Sequence, residues 1–209
     1  MTGIFLIALM GYLIGSIPVG YLAGRIAGID IRTVGSGNIG ATNVGRVLGK
    51  RYGYPVFFAD FFKGFGSVTL AAYAGPQLAP GYSIELLQIV AGIFCVLGNT
   101  FPVWLKFRGG KGVATSAGLF FGLAPLAILI VFVIWMATYK ITRYVSIASI
   151  TAAVTLPVTI FILMWSLQSP GTLVFYLSVV LAAVVVLRHH SNISRLLQGT
   201  EERFNKSED

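Results

Sequence analysis

Long apolar runs alternate with short polar segments along the whole chain. The runs cover approximately residues 2–24, 54–75, 84–105, 112–139, 144–166 and 170–188. A helix needs ~20 apolar residues to cross ~30 Å of hydrocarbon, and the runs are close to or above that length. The pattern therefore predicts an all-α, polytopic membrane protein.

The basic residues are confined to four segments between or beside these runs. All 15 Lys and Arg residues fall in or beside residues 25–63, 106–111, 140–143 and 188–206. The other two polar gaps, at 75–83 and 166–171, contain none. Because cytoplasmic loops carry an excess of Lys and Arg, we expect the four basic segments on the cytoplasmic face. The first cation, Arg25, follows the first run, so we expect the N-terminus outside and the C-terminus in the cytoplasm.

Six single crossings conflict with this charge distribution, because they leave Lys140 and Arg143 outside and the uncharged gap at 166–171 inside. The conflict disappears if run 112–139 enters and returns as two short helices. The predicted break is near Gly122-Leu123-Ala124-Pro125, since proline stops or kinks a helix. Each arm then has about 13 residues and spans ~20 Å, so at least one arm is buried, tilted or re-entrant. The prediction is seven transmembrane helices, and the alternative is a single kinked span over 112–139.

The composition excludes a water-soluble globular protein. Of the 209 residues, 56% are hydrophobic and 11% are charged, and the mean hydropathy is +0.83. We interpret residues 1–209 as one integral membrane domain. The excess of 15 basic over 7 acidic residues does not indicate nucleic-acid binding, because topology and anionic lipid headgroups account for cations at helix ends.

A glycine-rich polar segment, residues 35–43, follows the first run. It reads Gly-Ser-Gly-Asn-Ile-Gly-Ala-Thr-Asn and matches the spelling G-x-G-x-x-G, but no βαβ pattern surrounds it, which argues against a dinucleotide-binding fold. Its glycines allow the backbone to fold back and expose N–H groups beside polar side chains, which suits an anion. The alternative is a flexible cytoplasmic turn. The candidate binding residues are Ser36, Gly37, Asn38, Thr42 and Asn43.

A second glycine-rich segment, Arg108-Gly-Gly-Lys-Gly112, leads directly into an apolar run. It is not a Walker A motif, because Gly112 stands where that motif needs Ser or Thr. Glycines before a helix N-terminus direct N–H groups and the positive end of the helix dipole towards the Lys111 ammonium group. Gly110, Lys111 and Gly112 are therefore candidates for anion binding. In the alternative, Arg108 and Lys111 only mark the cytoplasmic side.

A third polar segment, residues 188–196, ends the last apolar run. If the helix continues, His189, Asn192 and Leu196 share one face, so that His189 and Asn192 can contact one ligand. Neighbouring histidines diverge on a helix, and no third ligand is suitably spaced, so no metal site is predicted. The segment also lacks a His-x4-Asp acyl-transfer pair, because Ser194 and Arg195 stand at the required positions.

Two ionisable residues, Asp60 and Lys63, lie within the second apolar run. They are three residues apart on one helix face. A charge at the middle of a membrane helix costs ~2.5–3.5 kcal/mol, so such residues pair or face a polar cavity. A structural ion pair is the favoured interpretation, and a direct role in substrate binding is the alternative.

Together, these segments resemble the three cytoplasmic motifs of the bacterial acyl-phosphate glycerol-3-phosphate acyltransferases, the PlsY family. The resemblance rests on residues 35–43 with Arg46, on Phe101-Pro102 with 109–115, and on Arg188-His189, Asn192-Ile193 and Arg195-Leu196. Residues 60–64 are similar to a further family signature. One position differs: the family usually has His after the glycine at position 98, and this chain has Asn99.

The resemblance implies seven membrane helices and transfer of an acyl group from acyl phosphate to the 1-hydroxyl of glycerol 3-phosphate, giving lysophosphatidic acid. It places the protein in the bacterial inner membrane, with the active site on the cytoplasmic face, and implies no metal and no coenzyme A. By position, Ser36, Arg46, Lys111, His189 and Asn192 would hold the phosphate-bearing substrate, with Ser36, Lys111 and His189 as catalytic residues. His189 is the obvious general base, because histidine ordinarily titrates near neutrality, and a substrate phosphate is the alternative base.

Two other functional classes are alternatives. A transporter or channel for a small phosphate ester would use the same cations as a gate. Against it, the outer halves of the predicted spans hold a single charged residue, Glu85 at the outer boundary of its run, and no pair of broken helices is duplicated. A noncatalytic subunit of a membrane assembly is the other alternative.

Overall fold

The computed structural model describes residues 2–167 and 170–204. Lys206, at the end of the fourth basic segment, and part of the gap at 166–171 lie outside these ranges. All regular secondary structure within the described residues is helical, which confirms the predicted all-α class. The chain divides into two compact units, one ending at Leu123 and the other beginning at Ala124.

The first unit is built around four longer helices and two short ones. They are α1 (Thr2–Ser16), α2 (Val19–Ile26), α3 (Ala41–Leu48), α4 (Lys50–Leu78), α5 (Ile84–Thr100) and α6 (Val113–Leu123). Single 3-10 turns occur at Ile31–Thr33 and Val103–Leu105. α1 ends before Pro18, because proline cannot continue the helical hydrogen-bond ladder. α4 packs against α1, α5 and α6 and forms the centre of the unit.

The second unit contains the remaining helices of the described chain. They are α7 (Pro125–Thr142), α8 (Val145–Leu167), α9 (Thr172–Arg188) and α10 (His190–Leu197). α8 packs against both α7 and α9. The extended C-terminal residues 201–204 pack back on this unit, where the Phe204 amide donates a 3.1 Å hydrogen bond to the carbonyl of Arg143.

The predicted break in run 112–139 is confirmed, since α6 ends at Leu123 and α7 begins at Pro125. Ala124, between them, has φ −148° and ψ 66°, because a proline disfavours the helical conformation in the residue before it. The arms have 11 and 18 residues rather than about 13 each, because α7 continues through Lys140 to Thr142. The short arm, α6, is packed against α4 and α5.

Four helical stretches are long and apolar enough to cross a membrane, judged by length and composition. They are Thr2–Ile26, Ile84–Leu105, Pro125–Thr142 and Val145–Leu167. A fifth is obtained if α9 and α10, which are bent by 54°, count as one span. α4, with Asp60 and Lys63 in its length, is not among them, and α6 is shorter than a full span. The total of seven spans therefore stays a prediction.

Glycines bring α4 and α6 into main-chain contact. A Cβ atom at Gly64 would overlap the carbonyl oxygen of Thr115, and a Cβ atom at Gly118 would overlap the carbonyl oxygen of Phe61. Only hydrogen fits at these two positions, so the helices pack as closely as their main chains allow. This contact fixes α6, whose first residue, Val113, directly follows the Lys111-Gly112 pair.

Candidate active site

The buried side chain of Asn43 holds the first glycine-rich loop by hydrogen bonds. Its side-chain oxygen accepts a 2.8 Å hydrogen bond from the Ser36 amide, and its side-chain nitrogen donates to the carbonyls of Ile31 and Val34. Asn43 is only 2% exposed, whereas Ser36 is exposed at the loop surface. Of these two candidate residues, Asn43 therefore shapes the loop, and Ser36 lies on the loop surface where a ligand can reach it.

The same loop leads into the N-terminus of α3. Gly37 has φ 69°, a left-handed conformation that favours glycine. The side-chain oxygen of Asn38 accepts the Gly40 amide at 2.8 Å, which turns the chain into the helix. Thr42 lies in the first turn of α3 and Arg46 in the last turn, four residues apart and so on the same face. Both residues are partly buried.

The second glycine-rich loop is attached to the end of α5 by two main-chain hydrogen bonds. The Gly109 amide donates to the carbonyl of Thr100 at 3.1 Å, and the Gly110 amide donates to the carbonyl of Asn99 at 3.0 Å. α6 begins directly after Gly112, as the sequence predicted. The loop therefore delivers Lys111, which is partly buried, to the start of a helix.

Two neighbouring residues in this loop have left-handed backbone conformations without being glycine. Lys106 has φ 51° and Phe107 has φ 62°. The Phe107 amide donates to the carbonyl of Pro102 at 3.0 Å, which helps to hold this geometry. Such conformations cost ~1–3 kcal/mol each and are concentrated at functional sites. The loop thus has a defined shape that its own sequence does not favour.

One buried cluster joins the first glycine-rich loop to the 3-10 turn that precedes the second. It consists of Ile31, Ile39, Val44, Val56 and Leu105. Ile39 belongs to the first loop, Ile31 and Val44 lie on either side of it, and Leu105 belongs to the segment that leads to Lys111. The structure therefore packs the first loop and the turn that leads to the second loop on the same hydrophobic cluster.

A second buried cluster is polar. The Lys63 ammonium nitrogen lies 2.7 Å from a carboxylate oxygen of Asp60 and also donates to the carbonyl of Ile17, and both charged residues are buried. This confirms the predicted Asp60–Lys63 ion pair. The Asn99 side chain donates to the same Asp60 oxygen at 3.2 Å. The sequence indicated position 99 only as a departure from the family pattern, not as a partner of Asp60.

An apolar groove lies next to the second loop. It is lined by Ile17, Pro18, Tyr21, Leu22, Trp104 and Leu105, and its surface is almost entirely apolar. The Trp104 indole nitrogen donates a 3.0 Å hydrogen bond to the hydroxyl of Ser16, which holds the indole against the end of α1. The groove is suited to a hydrocarbon chain rather than to a phosphate.

His189 lies at a bend rather than inside a continuous helix. α9 ends at Arg188 and α10 begins at His190, so the face that a continuous helix would give to His189, Asn192 and Leu196 is not formed in that way. His189 is 3% exposed, and its Nδ1 atom is 2.7 Å from the carbonyl oxygen of Val185. A carbonyl only accepts, so Nδ1 carries the proton and Nε2 is the acceptor nitrogen of the neutral ring.

Glu201, which sequence reasoning missed, holds Asn192 in place. The Asn192 side-chain nitrogen donates to one carboxylate oxygen of Glu201 at 2.6 Å, and Arg195 Nε donates to the other at 2.7 Å. Burial opposes the charged form of Glu201, but the hydrogen bonds from Asn192 and Arg195 outweigh it and lower its pKa. The only sequence signal for this contact is that a glutamate follows His189 and Asn192 within about a dozen residues.

The candidate residues fall into both units. Ser36, Gly37, Asn38, Thr42, Asn43 and Arg46 belong to the first unit together with Gly110, Lys111 and Gly112. His189 and Asn192 belong to the second unit. Among the described residues, no group of three or more His, Cys, Asp or Glu side chains is arranged to bind a metal ion.

Comparison with known proteins gives one consistent family. A sequence model described as glycerol-3-phosphate acyltransferase matches residues 5–199. Glycerol-3-phosphate acyltransferase from Aquifex aeolicus is 40% identical over 205 residues, covering 98% of this chain and all of that protein. The enzyme of the same name from Trichlorobacter lovleyi is 44% identical over 203 residues, covering 97% of this chain and 98% of that protein.

Two crystal structures of PlsY, an integral membrane glycerol 3-phosphate acyltransferase, have the same fold. The glycerol 3-phosphate form has a TM-score of 0.85 and 40% identity, covering 97% of this chain and 96% of that one. The lysophosphatidic acid form has a TM-score of 0.81 and 39% identity, covering 97% and 95%. With the apolar helices described above, these matches show that the chain is a membrane protein that belongs to the glycerol-3-phosphate acyltransferase family.

Proposed function

We propose that the protein transfers an acyl group from acyl phosphate to the 1-hydroxyl of glycerol 3-phosphate. The products are lysophosphatidic acid and inorganic phosphate, and the reaction is the first step of phospholipid synthesis. The observation that carries the proposal is the packing of the first glycine-rich loop and the turn before the second on one buried cluster, with Lys111 shortly before the N-terminus of α6. That arrangement is suited to a phosphate ester. The names of the solved relatives, in a glycerol 3-phosphate form and a lysophosphatidic acid form, agree with it.

The proposed reaction needs no cofactor, because an acyl phosphate is already activated. The hydroxyl oxygen forms a bond to the acyl carbon, the bond between that carbon and the phosphate oxygen breaks, and the hydroxyl proton ends on the released phosphate. The protein then supplies position and charge stabilisation, and position alone can contribute ~7–11 kcal/mol. A reaction of this kind does not require a His-x4-Asp pair, which this chain lacks in its third polar segment.

We assign the phosphate groups of the substrates to Arg46 and Lys111. Ser36 and the amides of Asn38 and Gly112 bind the anionic oxygens, and Thr42 contributes its hydroxyl at the start of α3. Gly37 and Gly110 act through the shape of the two loops, because their amides already donate to the carbonyls of Val34 and Asn99. Asn43 acts through the shape of the loop, because its side chain is already committed to loop carbonyls and the Ser36 amide.

We assign the glycerol hydroxyl to His189 and Asn192. In this assignment Nε2 of His189 accepts the hydroxyl hydrogen, because the contact between Nδ1 and the Val185 carbonyl puts the ring proton on Nδ1. Replacing His189 by Asn and by Ala across a range of pH tests the role. Retention of most of the rate in His189→Asn means that His189 orients the hydroxyl while a substrate phosphate takes the proton. Loss of the same limb of the pH profile in both variants means that His189 is the base.

We also propose the membrane arrangement. Residues 1–209 form one acyltransferase domain with seven transmembrane helices, an N-terminus outside, a cytoplasmic C-terminus and the active site on the cytoplasmic face of the bacterial inner membrane. The charge distribution and the helix break at Ala124 support it. Labelling of single cysteines introduced at Lys140 and at Gly81 tests it, because the proposal puts Lys140 inside and Gly81 outside. A Lys140 label from the outer side contradicts the seven-helix arrangement.

An acyl-transfer assay on the purified protein in detergent tests the proposed function. Labelled glycerol 3-phosphate with acyl phosphate should give lysophosphatidic acid, and a parallel reaction with acyl-coenzyme A should give much less. A transporter or a noncatalytic subunit forms no product in detergent. Lys111→Met should remove most of the activity, whereas Lys106→Met, which removes the same charge from an exposed position in the same segment, should retain it. Equal losses in both variants contradict the assignment of Lys111.

A further inference from the structure

Asn99 contacts two parts of the first unit, the central helix α4 and the second glycine-rich loop. Its side chain donates to the Asp60 carboxylate on α4 at 3.2 Å. Its main-chain carbonyl accepts the Gly110 amide at 3.0 Å. Asn99 is 8% exposed, and it lies in the last turn of α5. One residue thus contacts both the central helix and the loop that carries Lys111.

The Asp60 end of this connection is rigid. Asp60 is paired with Lys63 at 2.7 Å, and Lys63 also donates to the carbonyl of Ile17, where α1 has ended. The carboxylate is therefore held by its own helix and, through Lys63, by the chain just beyond α1. A side chain that binds this carboxylate is therefore fixed relative to α4 and to the chain at the end of α1.

The loop end of the connection depends on the last turn of α5. The final carbonyls of a helix lack intrahelical partners and must bind other donors. Here the carbonyls of Asn99 and Thr100 bind the Gly110 and Gly109 amides, so the loop caps the helix. Gly109 packs so tightly that a Cβ atom there would overlap the Asn99 carbonyl oxygen. We therefore expect a shift of the last turn of α5 to move the loop with it.

We propose that Asn99 is a positioning residue for phosphate binding. By tying the end of α5 to Asp60, it sets the position of the Gly109 and Gly110 amides and of Lys111 after them. The consequence for catalysis rests on the proposed function, whereas the positioning of the loop does not. Asn99 touches no substrate in this proposal and acts only through the loop.

Three variants separate positioning from general stability. Asn99→Leu keeps the approximate size of the side chain but cannot donate to Asp60. Asn99→His restores a donor on a larger ring. Ser67→Ala is the matched control, because it also removes a buried polar side chain. Ser67 lies on α4, is 2% exposed and is near Cys95 rather than near the loop.

Hydrogen–deuterium exchange of the amides in residues 109–112 is the first measurement, and it needs no substrate. Asn99→Leu should raise the exchange of the Gly109 and Gly110 amides by about tenfold or more, because a hydrogen bond to a charged group has been lost. Asn99→His should exchange more slowly than Asn99→Leu, and Ser67→Ala should match the wild type. Wild-type exchange in Asn99→Leu overturns the proposal. So does an equal rise in Ser67→Ala.

Kinetics is the second measurement. In Asn99→Leu the KM for glycerol 3-phosphate should rise about tenfold with a smaller change in kcat, and Asn99→His should recover part of it. A loss of kcat at unchanged KM contradicts the proposal. If Asn99→Leu does not fold, Asn99→Ser, which is too short to reach Asp60, replaces it in both measurements. If wild-type protein makes no lysophosphatidic acid, the proposed function fails and the exchange result still decides the positioning role.

Discussion

The ammonium group of Lys63 lies 2.7 Å from the carboxylate of Asp60, and both residues are buried in the first unit. Removing one partner leaves an uncompensated buried charge, which costs ~3–5 kcal/mol. Lys63→Met should therefore lower the unfolding free energy in detergent by about this amount. The double variant Asp60→Asn with Lys63→Met should be clearly more stable than Lys63→Met alone.

The same double variant separates the two interpretations of the pair. Asn at position 60 keeps a side-chain oxygen that can accept from Asn99. If the folded double variant has normal activity, the pair has no direct role in substrate binding. If it folds normally but is inactive, the structural interpretation is wrong.

Gly64 and Gly66 provide a matched pair on α4. A Cβ atom at Gly64 would overlap the main chain of α6, whereas a Cβ atom at Gly66 would meet no atom within 4 Å. Gly64→Ala should destabilise the protein by ~1–3 kcal/mol, as overpacking does, and should reduce activity because α6 starts at the Lys111 loop. Gly66→Ala should be neutral or slightly stabilising. Thermal unfolding in detergent measures both, and equal effects contradict the main-chain contact between α4 and α6.

Glu201 and Glu202 form a second matched pair. Glu201 is buried and accepts from Asn192 and Arg195, whereas Glu202 is exposed. Glu201→Gln loses a charged acceptor and places an amide group opposite Arg195, so it should cost ~2 kcal/mol of stability. It should also raise the KM for glycerol 3-phosphate, because Asn192 loses its fixed orientation. Glu202→Gln removes the same charge from an exposed position and should have the smaller effect on both quantities.

The lowered pKa of Glu201 gives this contribution a pH dependence. A carboxyl group whose pKa is lower in the folded state contributes its stability fully above its unfolded pKa, which is about 4.3 for glutamate. The contribution is lost as the pH falls through the lower pKa of the folded state. The stability difference between wild type and Glu201→Gln should thus be constant near neutrality and shrink below about pH 4. A difference that grows on acidification contradicts this assignment.

Leu22 tests whether the apolar groove accepts the acyl chain. Leu22 lines the groove, whereas Ile26, on the same helix, is not part of its lining and is 80% exposed. Leu22→Trp should narrow the groove and reduce the rate with a long-chain acyl phosphate more than with a short-chain one. Ile26→Trp should leave the ratio of the two rates unchanged. An unchanged ratio in Leu22→Trp means that the acyl chain lies elsewhere.

Local chemistry made several features predictable from the sequence. Pro125 breaks the helix at Ala124 through a local steric effect that does not depend on tertiary contacts. Glycines followed by an apolar run give a loop and then the start of α6 at Val113. Asp60 and Lys63 are three residues apart on one helix, so their pairing follows from helix geometry.

The features that sequence reasoning missed depend on contacts between distant residues. Asn99 and Asp60 are 39 residues apart, and no periodic pattern links a side chain on α5 to one on α4. The bend at His189 occurs without a proline or glycine, so a continuous helix was the reasonable prediction. Glu201 reaches Asn192 only because the chain reverses at Gly199, where φ is 70°.

The carbonyl of Ile17 has a consequence for the conformation of the N-terminal segment. It lies just beyond the end of α1, where Pro18 interrupts the helix, and it is bound by the Val19 amide and by Lys63 from α4. An exposed carbonyl in hydrocarbon is unfavourable, and so is an isolated ammonium group. Either group alone lacks this partner, so we expect the conformation of the chain at Pro18 to depend on the presence of α4 beside it.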